Sequence, residues 1–154
     1  MATGTVLSHD CVAAAYGDGV NLGIAAIMAG GKIAVYGSAS TNNRPANPAA
    51  VVSGCSPTAV LIGVYTIGTI TQSNNQLVFT CSAVNALSSA TAYWARIYKS
   101  GFSVIGNDAT VVHLADIDVL NNVSGDGLNL TNITVTAGTQ LGQLLNATLT
   151  IPSY

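Results

Sequence analysis

From Thr58 onward the chain is written in period two: short runs in which apolar residues alternate with Thr, Asn or Ser, separated by residues that turn easily. The final run shows it most plainly. Leu145, Ala147, Leu149 and Ile151 share one parity and Asn146, Thr148 and Thr150 the other, as in a strand with one face in a core and one facing outward. Strands are expected over 59–70, 76–81, 91–99, 102–105, 110–119, 127–135 and 140–151. Ser73-Asn74-Asn75, Ser100-Gly101 and Asp126-Gly127 supply residues that tolerate positive φ, and Ser100-Gly101 predicts a two-residue hairpin joining Tyr98-Lys99 to Phe102-Ser103. About seven short strands of this kind indicate a mainly β fold, a two-sheet antiparallel sandwich of the jelly-roll or immunoglobulin-like sort.

The first third reads differently. Val20, Ile24, Ile27 and Met28 recur at helical spacing, Asp18 stands where an N-cap would accept backbone N–H bonds, and Gly30-Gly31 offers a left-handed stop. A short helix is expected within 18–30. Residues 10–15 could add a turn, which Gly17 and Gly19 would break. A strand follows over 32–37, then a long loop over 38–57 that collects Asn42, Asn43, Arg44, Pro45, Asn47, Pro48, Gly54 and Pro57. Loops of that length are usually functional or ordered by a neighbour. The expected organisation is one domain over 1–154, with an N-terminal arm and helix over 1–31 and the sandwich over 32–154. Such a length buries a core without metals or staples.

Charge is scarce: 6% of the 154 residues are Asp, Glu, Lys or Arg, none is glutamate, and 49% are hydrophobic. Ordinary globular chains carry about 25% charged residues. A deficit this large implies a surface covered by neighbouring protein, hence an assembly component that oligomerises. The apolar stretches are cut every few positions by Gly, Asn, Thr or Ser, short of the roughly 20 residues a membrane helix needs. The opening segment lacks the basic start and apolar run of a secretory signal, so folding in the compartment of synthesis is expected. Net charge is −2 and Lys32, Arg44, Arg96 and Lys99 are scattered, which leaves no footprint for nucleic acid. Cys11, Cys55 and Cys81 are read as buried thiols rather than a disulfide framework. The sequons at Asn122, Asn129, Asn132 and Asn146 are what an Asn- and Thr-rich chain produces by chance.

No catalytic constellation emerges. Ser8-His9-Asp10-Cys11 holds the residue types of a triad, but adjacent side chains point apart, and His113 is the only other histidine. Asp116, Asp118 and Asp126, with Asn121 or Asn122, offer oxygen ligands for Ca²⁺. They lack the loop spacing and the ligand number that calcium requires, so a solvated strand face is the preferred reading. Gly30-Gly31-Lys32 departs from a P-loop, with Ala26 at the first glycine and Ile33 in place of Ser or Thr. A glutamate-free chain offers little for paired-carboxylate hydrolysis. The chain is read as a non-enzyme without cofactor or metal.

The strand holding Trp94, Arg96 and Tyr98 carries the only tryptophan. Alternation sets these three on one face and Tyr93, Ala95 and Ile97 on the other. Two readings follow: one face is core, with Arg96 stacking inside the domain, or the three residues form an interface hot spot. The interface candidates are therefore Asn42, Asn43, Arg44, Pro45, Asn47 and Pro48 in the loop, with Trp94, Arg96 and Tyr98 on the strand.

Four segments carry a resemblance: Gly31-Lys-Ile-Ala-Val-Tyr-Gly-Ser38 with its Pro/Ala/Asn loop, Ser89-Ala-Thr-Ala-Tyr-Trp-Ala-Arg-Ile-Tyr-Lys-Ser-Gly101, Leu128-Asn-Leu-Thr-Asn-Ile-Thr-Val-Thr-Ala-Gly138, and Ala147-Thr-Leu-Thr-Ile-Pro152. In this order, across 18–152, the chain resembles small virion structural proteins of tailed bacteriophages. The shared motifs are structural, so no functional residue transfers, and the three cysteines and the acidic 111–122 stretch depart from the pattern. The resemblance implies a virion component made in the host cytoplasm. Its implied role is a head decoration or cement protein that oligomerises, as a trimer for instance, and binds the major capsid protein. The alternative is a tail-fibre or spike module that binds a host glycan through exposed Tyr and Trp.

Overall fold

The computed structural model describes residues 6–7, 22–38, 41–42, 44–45, 59–73, 76–101, 113–121, 125–141 and 144–150. In chain order the elements are β1 (Val6–Leu7), α1 (Leu22–Met28), β2 (Lys32–Ser38), β3 (Val60–Ser73), β4 (Gln76–Cys81), β5 (Ala90–Tyr98), β6 (His113–Asn121), β7 (Gly127–Leu130), β8 (Thr134–Val135) and β9 (Leu144–Thr150). The expected helix forms and stops where Gly30 takes a φ of 70°. Its neighbour Gly31 packs so tightly that a Cβ there would lie 2.2 Å from the Tyr98 carbonyl oxygen.

The strands do not form the two-sheet antiparallel sandwich, jelly-roll or immunoglobulin-like, that period two suggests. β6, β7, β9, β4, β3, β2 and β5 pair in that order, and β5 then pairs back onto β6, which closes a seven-strand barrel. β1 pairs with β6 and β8 with β5 outside that ring. Closure depends on strands that serve two neighbours in succession. β3 pairs with β2 over its first half and with β4 over its second, shifting register between Ile67 and Ile70. There the Thr69 N–H donates to Thr80 Oγ1 at 2.8 Å, which holds the bulge as the strand turns the corner.

The barrel is mixed because β6 and β7 run parallel, Val119 opposite Leu128. Asp126-Gly127 therefore does not make a hairpin. The chain doubles back instead, and Gly127, at a φ of 143°, approaches so closely that a Cβ would sit 2.5 Å from the Asp118 carbonyl oxygen. The single strand expected over 127–135 divides into β7 and β8, and the strand expected over 102–105 lies outside the described residues.

All seven ring strands send side chains into one core, among them Ile33, Tyr65, Leu77, Ile97, Ile117, Leu128 and Leu149. A seven-strand barrel is narrow enough for side chains to fill it. Met28 of α1 packs into this core beside the first residue of β2. Near the last residues of β2, Ala86, Val135 and Leu141 join it, on segments tied together by Ala86 N–H to Thr139 O and Leu141 N–H to Val84 O.

Candidate functional site

A second buried cluster lies on the opposite face of the wall formed by β2 and β5: Ala34, Tyr36, Trp94 and Tyr98, with Leu61, Val64 and Tyr93 against it. Register builds it. Tyr36 stands opposite Trp94 and Ala34 opposite Arg96 across β2 and β5, while Asp116 stands opposite Arg96 and Asp118 opposite Trp94 across β5 and β6. Trp94, Arg96 and Tyr98 share a face, as alternation requires. Tyr93 does not stay on the other one, because the β2–β5 register shifts between Tyr36 and Gly37 and turns Tyr93 toward this cluster.

Arg96 is the centre. Its Nε donates to Asp116 Oδ1 at 2.7 Å and its Nη2 to Asp116 Oδ2 at 2.8 Å, a two-pronged pair between residues 2% and 0% exposed. The guanidinium carbon lies 5.3 Å from the centre of the Trp94 ring. Trp94 stacks on Tyr36 at 4.6 Å, and the Tyr36 and Tyr98 hydroxyls meet at 3.3 Å. Burial works against the charge on Arg96, but the hydrogen bonds and charge of Asp116 outweigh it and hold the pKa above its ordinary value. Burial is also the main cause that raises Tyr36 and Tyr98, so both phenols stay neutral.

The long loop reaches the same wall. Arg44, buried, places Nη1 3.1 Å from Asp118 Oδ1. Asn42 Oδ1 accepts the Arg44 N–H at 3.0 Å, and Ser38 Oγ donates to the Thr41 carbonyl at 2.6 Å, so the start of the loop is fixed by its own turn chemistry. Pro45 is partly buried; Asn43, Asn47 and Pro48 lie outside the described residues.

The interface candidates thus divide. Trp94, Arg96, Tyr98 and Arg44 are buried in the protein's own fold. The three aspartates considered for calcium are dispersed: Asp116 binds Arg96, Asp118 binds Arg44, and Asp126 accepts the Thr150 N–H at 2.7 Å. Among the described residues no three His, Cys, Asp or Glu side chains come together around a metal position. Asn129 of the second sequon is buried. Sequence reasoning missed the ion pairs, although their signal was present: aspartates alternating through an apolar strand, in a chain so short of charge, need buried cations opposite them.

No family model, no characterised protein and no solved structure matches the chain. What the geometry establishes is a polar layer that locks β2, β5, β6 and the loop together.

Proposed function

We propose that the chain is a non-enzymatic virion structural protein of a tailed bacteriophage, a head decoration or cement protein that associates with itself and binds the major capsid protein. The observation that carries this reading is where the charge resides. No charged residue occurs from Pro45 to Ala95 or after Asp126, so β3, β4, β7, β8 and β9 are neutral throughout. Two of the four cations, Arg44 and Arg96, are buried and paired with Asp118 and Asp116. A barrel wall of this kind suits permanent cover by neighbouring protein better than lifelong exposure to water. The resemblance of the four sequence segments to small phage virion proteins is the second ground for the reading.

The glycan-binding alternative needs an aromatic platform open to solvent. Among the described residues, Trp94, Tyr36, Tyr65 and Tyr98 are buried and Tyr93 is partly so, which counts against it. The test is addition of purified protein to particles that lack it. Saturable binding, with slower loss of particle integrity in heat or chaotrope, supports the proposal. Particles that neither retain the chain nor gain resistance refute it.

A further inference from the structure

Two Asp-Gly pairs occur in the chain: Asp126-Gly127 at the β6–β7 return, and Asp18-Gly19, which lies outside the described residues. An Asp-Gly bond is open to isomerisation because glycine has no side chain to shield its backbone nitrogen or to restrict the rotation that carries it to the carboxyl carbon. The return of β7 beside β6 needs that same freedom. Gly127 holds a φ of 143°, and a Cβ there would lie 2.5 Å from the Asp118 carbonyl oxygen. The residue that lets the chain double back is therefore the one that makes the bond after Asp126 labile.

The folded chain restrains both reacting groups. Asp126 Oδ1 accepts the Thr150 N–H at 2.7 Å, which ties the carboxyl to the end of β9. Gly127 is buried, stands opposite Thr148 of β9 in register and lies against Asp118 of β6. For the Gly127 nitrogen to reach Asp126 Cγ, the carboxyl must release Thr150 and the peptide must rotate where even an added Cβ would clash. Both motions require β7 to separate from β6 and β9.

We infer that Asp126-Gly127 is an isomerisation site that the fold keeps shut and that unfolding opens. In the unfolded chain the Gly127 nitrogen attacks Asp126 Cγ. The new C–N bond closes a cyclic imide, and the carboxyl hydroxyl leaves with the nitrogen's hydrogen as water. Water then opens the ring. Cleavage at Cγ restores aspartate, whereas cleavage at the main-chain carbonyl leaves Gly127 joined through Cγ as isoaspartate. The isomer carries an extra main-chain carbon just where β7 must meet β6, with Val119 opposite Leu128, and β9, with Gly127 opposite Thr148. A chain altered there cannot close the barrel, so the step marks a molecule that has unfolded and keeps it from returning.

The experiment ages the full chain at neutral pH and physiological temperature, one sample folded in buffer and one unfolded in guanidinium chloride. Isoaspartate is assigned site by site by electron-transfer fragmentation of peptides, with Asp18-Gly19 in the unfolded sample as the internal clock. In denaturant the two sites should isomerise at comparable rates. In buffer, position 126 should isomerise at least about 10-fold more slowly than in denaturant, since reaction waits on opening of the β6–β7–β9 junction. When the aged sample is diluted from denaturant, isoaspartate at 126 should be concentrated in the chains that fail to enter the folded gel-filtration peak. Equal rates at 126 in buffer and denaturant overturn the inference. So does a position 126 that stays intact in denaturant while Asp18 isomerises, or isoaspartate at 126 found equally in refolded and unrefolded chains.

Discussion

The buried Arg96–Asp116 pair permits a sharp energetic prediction. Removing one partner leaves the other charged and cut off from water, which costs about 3–5 kcal/mol for a buried pair. Asp116 is fully buried and both its oxygens are committed to Arg96, so Arg96→Met should fall in that range. Asp116→Leu should do the same, and it also leaves the Trp94-stacked guanidinium without its counter-ion. Domains are stable by only about 5–15 kcal/mol, so either change consumes a large share of the total. Replacing both residues removes the orphaned charge as well as the attraction, and the Arg96→Met/Asp116→Leu double variant should return to within about 1 kcal/mol of wild type. Urea unfolding followed by circular dichroism measures all four proteins, with the m-value as a check on the denatured state. Single variants costing less than about 1 kcal/mol, or a double variant costing the sum of the singles, would refute the reasoning.

Three further outcomes follow from the same geometry. Burial raises the pKa of Tyr36, Tyr65 and Tyr98, so above about pH 10 the unfolded chain loses protons that the folded chain keeps. The tyrosines' contribution to stability is then full below about pH 10 and falls above it, by up to about 1.4 kcal/mol per pH unit for each tyrosine. Phenolate absorbance from Tyr36, Tyr65 and Tyr98 should appear in one cooperative step with unfolding, and ionisation of these three near pH 10 in a folded protein would contradict this. Cys81, pushed up to about 11 by burial from 9.0, should alkylate about 100-fold more slowly than a free thiol at neutral pH, as mass spectrometry of native protein can measure. Gly127→Ala must strain a positive φ and push a Cβ against the Asp118 carbonyl, for a loss of about 2 kcal/mol or more in urea unfolding; a neutral effect would show that the β6–β7 return is not tight.

Much of the strand pattern was legible because β4 and β9 alternate inward apolar with outward residues and are bounded by turn formers. Closure was not legible. Alternation places Ile33, Ile97 and Leu149 in a core whether that core lies between two sheets or inside a ring, so it cannot report that β5 pairs with both β2 and β6. Nor can it count bulges: the register shift that turns Tyr93 outward, and the one that bends β3 between Ile67 and Ile70, arise where sheet curvature overrides local pattern. The parallel β6–β7 pair hid behind Asp126-Gly127, which reads equally well as a hairpin. The shared face of Trp94, Arg96 and Tyr98 was visible in the sequence, but its burial depends on Tyr36, Asp116 and Asp118 arriving from other strands. The same holds for Arg44, whose loop looked free and is anchored by an ion pair.

The proposed role is tested most directly by imaging whole particles with a label on this chain. Label distributed over the head at lattice positions, and lost together with the particles' added resistance when the chain is stripped, is the predicted result. Label confined to the tail tips, or absent from purified particles, would contradict it.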